Sequence, residues 1–181
     1  ETRHVSTTCC IARGRPAGIM LGYPLARAGV DVVMLEMWSD FFRDFRGDTI
    51  HPSTMDVLGE LGLLDEFLKL PHSEMTRMTM HVGGRAITLA NLEHVGARCK
   101  FIAFIPQWDF LNFLSTKARE FSSFHLRMET KAIDVLNENG CVVGVRAQDK
   151  NGEFEIRAQV VVGADGRHST MREASGLKVR D

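Results

Sequence analysis

The first part of the chain alternates between continuous apolar runs and a segment with helical spacing. Residues 4–12 read HVSTTCCIA, a run rich in β-branched residues and cysteine, and residues 30–36 read VDVVMLE. Runs of this length are typical of buried strands. Between them, residues 18–29 carry apolar side chains at helical spacing and end at a glycine. A strand, a helix and a strand in this order predict a βαβ unit and therefore a parallel sheet.

The middle of the chain predicts helices and one hairpin. Residues 51–70 and 106–120 have the apolar spacing of amphipathic helices, and Ser53 or Thr54 is the expected N-cap of the first. Residues 75–90 alternate between apolar and polar side chains around a Gly-Gly pair. This alternation predicts two strands joined by a tight turn.

The last part of the chain predicts more strands and a final helix. Residues 125–130 form a strand candidate, and the apolar alternation of residues 131–159 is broken by two Asn-Gly pairs, which indicates a three-stranded antiparallel meander. Residues 160–166, VVVGADG, resemble another buried parallel strand, and a helix is expected within residues 167–177. The predicted fold is therefore α/β, a Rossmann-like parallel sheet with an antiparallel meander inserted late.

The composition, 44% hydrophobic and 25% charged residues over 181 positions with a net charge of −1, is ordinary for a globular protein. A chain with almost no net charge lacks the basic surface that nucleic acids require, so we expect no nucleic-acid partner. No apolar run reaches the roughly 18 residues that cross a bilayer, so we also expect no membrane span.

The cysteines and histidines show no spacing typical of metal ligands. None of the four cysteines forms a C-x-x-C pair, so we expect no metal site. The N-terminus lacks the apolar core of a signal peptide, which predicts reduced thiols and a cytoplasmic protein. Cys9 and Cys10 are expected to be buried on opposite faces of one strand.

The junction between the first strand and helix is a candidate nucleotide-binding turn. Residues 9–18 read CCIARGRPAG. A dinucleotide turn uses three glycines, for a tight turn, for close approach of the backbone to the pyrophosphate, and for close packing of helix on strand. Aligning the third glycine with Gly18 places Arg13 and Arg15 at the first two positions, with Gly14 between them. Glu36 ends the second strand, where a carboxylate can accept hydrogen bonds from a ribose.

This turn alone is equally compatible with a strand–turn–helix that binds no ligand. Each side chain also has an ordinary explanation, since Glu36 could be a surface acid at the end of a strand. A second pattern, residues 163–177 with the letters GADGRHSTMREASGL, contains D-G-x-x-S-x-x-R from Asp165 to Arg172. Asp165 could contact a cofactor or act as the N-cap of the last helix.

The D-G-x-x-S-x-x-R pattern resembles the DG motif of the FAD-dependent aromatic hydroxylases, the p-hydroxybenzoate hydroxylase-like monooxygenases. Three further segments resemble this family in the same order: DFRGDTIHPSTMDVLGELGLLDEF, IPQWDFLNFL and METKAIDV. By this resemblance Arg46 reaches the flavin side of the cofactor, Gln107 contacts its phosphate and ribityl region, and the backbone near Ala132 pairs with the adenine edge. Arg46 as a solvated loop charge and Gln107 as a helix N-terminal polar residue remain the alternatives.

The resemblance implies an FAD-dependent oxidoreductase in which NAD(P)H reduces the flavin and O₂ is used to hydroxylate a small aromatic or polyketide-like substrate. Because the cofactor carries the oxygen chemistry, no catalytic acid or base is assigned. The implied cofactor contacts are Gly14, Ala17, Gly18, Glu36, Arg46, Gln107, Ala132 and Asp165.

The chain departs from the family pattern in three places and covers only part of it. Arg13 and Arg15 replace glycines, and Pro24 interrupts the first predicted helix, where proline costs about 3 kcal/mol. Residues 1–181 correspond to the N-terminal portion of an FAD-binding domain, with most of the substrate domain and a later FAD segment outside it. A degenerate remnant that binds no flavin is one alternative. An NAD(P)-dependent Rossmann dehydrogenase is another, although it explains Glu36 and not the late DG pattern.

Overall fold

The computed structural model describes residues 4–42 and 47–179. The chain divides into two compact units, the first comprising Glu1–Phe41 with Leu114–Asp181 and the second Phe42–Phe113. The elements in chain order are β1 (His4–Ala12), α1 (Pro16–Arg27), β2 (Val32–Leu35), β3 (Thr49–Ile50), α2 (Pro52–Glu60), α3 (Leu64–Phe67), β4 (Ser73–Met75), β5 (Arg77–Val82), β6 (Arg85–Asn91), β7 (Ile102–Phe104), α4 (Gln107–Ala118), β8 (Phe124–Arg127), β9 (Lys131–Glu138), β10 (Cys141–Asp149), β11 (Gly152–Gly163) and α5 (Thr170–Ala174).

The first unit contains a six-stranded sheet in the order β8-β2-β1-β11-β10-β9. Strand β1 is parallel to both of its neighbours, β2 and β11, and β2 is parallel to β8. The predicted βαβ unit and the α/β class are therefore confirmed. Because the strands are parallel, the carboxyl ends of β1, β2 and β11 lie along one edge of the sheet, where α/β proteins bind their ligands.

Strand β11 joins the meander to the parallel sheet. It pairs antiparallel with β10 from Gly152 to Arg157 and parallel with β1 from Glu155 to Gly163. The sequence predicts two separate strands here, and this is wrong because no turn residue interrupts the chain between them. Val160 is 53% exposed, which also corrects the prediction that this whole run is buried.

Helix α1 continues through Pro24 instead of breaking there. The Pro24 carbonyl still accepts the Ala28 N–H at 3.0 Å, and the helix closes with Gly29 at φ +79°. Gly22 packs the helix tightly against β2, since a Cβ added at this position would lie 2.7 Å from Met34 Cε. The proline removes one helical hydrogen bond, but the packing of α1 on the sheet preserves the helix.

The N-cap of helix α2 lies two or three residues before the N-cap that the sequence predicts. Its N-cap is His51, whose carbonyl accepts the N–H groups of Thr54 and Met55, and Pro52 occupies the first helical position. The predicted caps Ser53 and Thr54 are therefore wrong. Proline favours the first turn because its φ is already helical and its missing N–H would have no partner there.

A core cluster of the first unit is built from side chains of both the parallel strands and the meander. It includes Cys10 and Leu35 from the parallel strands together with Phe154 and Ile156 from β11. Cys9 and Cys10 are 4% and 0% exposed, as expected for neighbouring residues on opposite faces of a strand. Burial raises the pKa of Cys10 to about 12, so its thiol stays protonated at neutral pH.

The second unit contains a three-stranded sheet, β3-β7-β4, and the β5–β6 hairpin. The hairpin turns at the predicted Gly83 and Gly84, both with positive φ. The aromatic residues of α4 contribute to packing: Phe110 is buried, and its ring centroid lies 5.8 Å from that of Phe67. Trp108 contacts the exposed ring of Phe42 at 4.9 Å.

Candidate functional site

The turn between β1 and α1 adopts the conformation that glycine normally provides. Arg13 has φ +91°, and its N–H donates to the Leu35 carbonyl at 2.9 Å. This confirms that the first glycine position of the pattern requires the left-handed region. A non-glycine residue there costs roughly 1–2 kcal/mol. The turn therefore adopts a backbone conformation typical of glycine, at the expense of strain at Arg13.

Replacing Arg13 with glycine is expected to raise the free energy of unfolding by about 1 kcal/mol, because the relief of strain exceeds the added flexibility of the unfolded chain. Urea denaturation of both proteins measures this difference. Arg15→Gly is the matched control, since Arg15 has an ordinary extended backbone with φ −75° and ψ 171°. Equal stability changes in the two variants would contradict the role of strain at Arg13.

Gly18 allows the start of α1 to lie directly on the turn. A Cβ added at this position would stand 2.2 Å from the Arg13 carbonyl oxygen and 3.3 Å from Ala164 Cβ. No side chain fits this space without movement of the backbone. Gly18 therefore meets the packing requirement of the third glycine.

Glu36 lies beside the turn, at the carboxyl end of β2. Its side chain accepts the Gly14 N–H at 3.2 Å and the Trp38 N–H at 3.3 Å, and the residue is only 3% exposed. Gly14 is close to this carboxylate, since a Cβ there would lie 3.5 Å from Glu36 Cβ. The surface-acid alternative for Glu36 does not describe this buried, oriented group.

A narrow cleft with a volume of about 30 Å³ lies next to the turn. It is formed by the ends of β1 and β2, the start of β9 and the segment that follows β11. It therefore brings Ala132 and Asp165 to the same cleft as the turn, although they are distant in sequence. The lining residues are Ala12, Arg13, Leu35, Met37, Thr130, Lys131, Ala132, Asp165 and Thr170.

The N-terminus of α1 presents backbone donors without a capping side chain. Arg15 is the N-cap and makes no side-chain cap hydrogen bond, Pro16 follows, and no acidic residue lies in the first turn. Ala17, also in this turn, is exposed. Uncapped N–H groups and the helix dipole together favour a negatively charged group at this end.

The DG pattern has a local structural explanation. Asp165 accepts the Ser169 hydroxyl at 2.5 Å and the Met171 N–H at 3.1 Å, while Ser169 accepts the Arg172 N–H at 3.0 Å. The predicted N-cap role of Asp165 belongs to Ser169 instead, because Asp165 lies four residues before it and binds the first turn from outside the helix. Asp165 thus fixes the start of α5 and lines the cleft at the same time.

The two remaining predicted contacts lie elsewhere. Arg46 is outside the described residues. Gln107 belongs to the second unit, where it is the first residue of α4, and its N–H donates to Asp48 Oδ1 at 3.1 Å. The helix N-terminal alternative for Gln107 therefore describes its local structure, and the sequence reading missed Asp48, the side chain that accepts from it. Asp48 lies 59 residues before Gln107, so no local pattern signals this contact.

Within the described ranges, no group of three or more His, Cys, Asp or Glu side chains is placed to hold a metal ion. No helix there combines the length and apolar character needed to cross a membrane.

Comparison with known proteins identifies the family of the chain. The family model described as "FAD binding domain" matches residues 6–181. The 6-methylpretetramide 4-monooxygenase of Streptomyces rimosus is 28% identical over 171 residues, which are 94% of this chain and 41% of that protein. The rifampicin monooxygenase of Streptomyces venezuelae is 28% identical over 169 residues, 92% of this chain and 33% of that protein. The chain thus spans less than half the length of these curated relatives.

Solved structures share the fold. The p-nitrophenol 4-monooxygenase PnpA of Pseudomonas putida superposes with a TM-score of 0.82 at 23% identity, covering 97% of this chain and 45% of that one. PqsL of Pseudomonas aeruginosa, a probable FAD-dependent monooxygenase, gives a TM-score of 0.80 at 24% identity over 97% of this chain and 47% of its own.

Proposed function

The chain belongs to the FAD-binding domain family, and from this premise we propose that it forms the N-terminal, cofactor-holding part of an FAD-dependent monooxygenase. The observation that carries the proposal is the buried Glu36 carboxylate, hydrogen-bonded to Gly14 of the turn. Because this hydrogen bond holds the turn beside the end of β2, one ligand can contact both, as an adenosine diphosphate moiety does.

The residues fit this half of the cofactor. Gly18 lets α1 pack directly on the turn, because any Cβ there would clash with the Arg13 carbonyl oxygen, and Arg13 adopts the positive φ that the turn requires. Arg15 has an extended backbone, so its position demands no glycine for conformation. Its side chain is exposed and long, so it is free to move aside for a ligand. The substitutions therefore strain the turn without closing it, which favours a binding domain over a remnant.

Within the first unit, Glu36 is the proposed acceptor of a ribose hydroxyl, and the backbone at Ala132 is the proposed neighbour of the adenine. The N–H groups of Ala17 and Gly18 in the first turn of α1 are the proposed donors to the pyrophosphate. Asp165 holds the loop after β11 in place through its hydrogen bonds to α5 and is proposed to face the cofactor from the cleft.

The flavin side is proposed to involve Arg46 and, from the second unit, Gln107. The resemblance on which these two assignments rest also suggests that FAD, once bound, supplies the oxygen chemistry, while the chain positions it and shields it from water. The chain's own contribution is binding and orientation, so no side chain is assigned a proton-transfer role.

The activity of the whole protein is proposed to be hydroxylation of an aromatic or polyketide-like substrate with O₂ and NAD(P)H. Relatives named for 6-methylpretetramide, anhydrotetracycline and rifampicin support this substrate class. A relative named as a probable NADH-specific resorcinol 4-hydroxylase supports a nicotinamide reductant. A cytoplasmic location is consistent with four cysteines that are all free thiols.

Titration of the purified chain with FAD tests the cofactor assignment. We expect FAD to bind, to co-elute with the protein and to give a visible absorbance at about 450 nm. FMN, which has no adenosine half, is the matched ligand control and is expected to bind at least tenfold more weakly. A chain that stays colourless with FAD would support the non-binding remnant. Binding of NADH in place of FAD would support the dehydrogenase alternative.

A further inference from the structure

Arg15 is the part of the turn that the FAD assignment leaves without a role. It is exposed at the N-cap of α1. Its guanidinium lies beside the loop that follows β11, since a Cβ added at Gly166 would stand 3.8 Å from Arg15 Nη1. A positive charge at the N-terminus of a helix opposes the helix dipole, so this position is unfavourable for the helix itself. A cation there becomes favourable when an anion sits between it and the first-turn N–H groups.

The guanidinium also lies on a defined side of the site. Strand β1 has β2 on one side and β11 on the other, and the Ala164 N–H binds the Ala12 carbonyl at 2.9 Å. Glu36 marks the β2 side, where the ribose is proposed to bind. A dinucleotide continues from there past the helix N-terminus toward the opposite side of β1. Arg15 and Gly166 are on that opposite side, where the flavin half of FAD would extend from the pyrophosphate.

A nucleotide that ends at its second phosphate uses this cation better than FAD does. Each phosphate of the FAD pyrophosphate has one ester bond and one anhydride bond and carries one negative charge. The terminal phosphate of ADP has only the anhydride bond to the first phosphate and carries a charge of about −1.5 to −2 at neutral pH, because its second pKa is about 6. Guanidinium groups bind such phosphates through two parallel charge-assisted hydrogen bonds.

We propose that the turn binds ADP at least as tightly as FAD, with Arg15 binding the terminal phosphate. This rests on the proposed function, because it places the adenosine of ADP in the position assigned to that of FAD. Arg15 is then the residue that determines selectivity between a free terminal phosphate and a flavin-linked one. A chain with this preference would be held in its nucleotide-bound, flavin-free form wherever ADP exceeds FAD.

Calorimetric titration of the unmodified chain with ADP, AMP and FAD in the same buffer tests the preference without any substitution. We expect ADP to have a dissociation constant equal to or lower than that of FAD, and AMP to bind more weakly than ADP. FAD binding together with weaker ADP binding would overturn this inference and leave the proposed function intact. Binding of neither nucleotide would overturn both.

The variant Arg15→Ala tests the residue. We expect ADP affinity to fall at least tenfold because the charge-assisted hydrogen bonds of the guanidinium are lost, while FAD affinity changes less than twofold. Arg15→Lys keeps the positive charge but not the planar guanidinium that makes two parallel hydrogen bonds. We expect its loss of ADP affinity to be smaller than that of Arg15→Ala. Arg146→Ala is the matched control, because it also removes one exposed arginine, from a pair with Asp134 on the meander. Arg15→Ala that binds ADP like the Arg146→Ala control would overturn the assignment of Arg15.

Discussion

Alanine at position 18 is expected to lower the free energy of unfolding by about 2 kcal/mol and to abolish measurable nucleotide binding. The added Cβ would stand 2.2 Å from the Arg13 carbonyl oxygen, a backbone atom that no side-chain rotation moves away. Overpacking against backbone costs up to about 3 kcal/mol, and the higher helix propensity of alanine returns about 1 kcal/mol. To relieve the clash, α1 must move away from the turn and take its first-turn donors with it.

Urea denaturation and FAD titration of Gly18→Ala measure the two effects. Gly96→Ala is the control, because a Cβ at Gly96 meets no atom within 4 Å and its φ is not in the left-handed region. It is expected to change stability by less than about 0.5 kcal/mol. If Gly18→Ala matched this control in stability, α1 could not pack on the turn as described.

Replacing Glu36 with glutamine is expected to weaken adenine nucleotide binding by about 10- to 100-fold, the worth of a hydrogen bond to a charged group. The amide oxygen still accepts one N–H, so the hydrogen bond from Gly14 or Trp38 is retained. The amide nitrogen cannot accept the other, and we expect the stability to fall by about 1 kcal/mol. The fold survives this loss, which separates the effect on the ligand from unfolding.

A ligand lacking the ribose hydroxyls identifies the contact that Glu36 makes. With 2′,3′-dideoxyadenosine diphosphate, the proposed acceptor has no donor, so the Glu36→Gln variant and the unmodified chain should bind equally well. Glu138→Gln is the control, since Glu138 forms an exposed pair with Arg157 and carries the same charge. An equal loss of affinity for ADP and its dideoxy form in Glu36→Gln would contradict ribose recognition by Glu36.

Local patterns were sufficient where neighbouring residues decide the structure. The Asn139-Gly140 turn forms as predicted, with both residues at positive φ, because these two residue types tolerate that conformation. The same holds for the βαβ unit, whose apolar runs and helical spacing reflect burial on a sheet. Local patterns failed where an adjacent element overrides them, as at Pro24, which packing keeps inside α1.

The candidate site was only partly accessible to sequence reasoning. Spacing placed Gly18 and Glu36 at the ends of their elements, and the tertiary structure adds the contacts between Glu36 and the turn. The role of Asp165 in starting α5 was confused with that of Ser169, since both are good caps and only the backbone shows which one adopts the N-cap position. The proposed cofactor roles of Arg46, Gln107 and Ala132 rest on family resemblance and stay predictions.

By itself, the sequence determined the α/β class, the order of most elements and the position of a candidate nucleotide-binding turn, because these follow from periodicity and from backbone preferences of single residues. Only the tertiary structure decided that β11 is one strand shared by two kinds of pairing, that Glu36 is buried, and that Arg15 reaches Gly166. These features depend on hydrogen bonds and packing between segments far apart in the chain, and no local pattern encodes which of those segments meet.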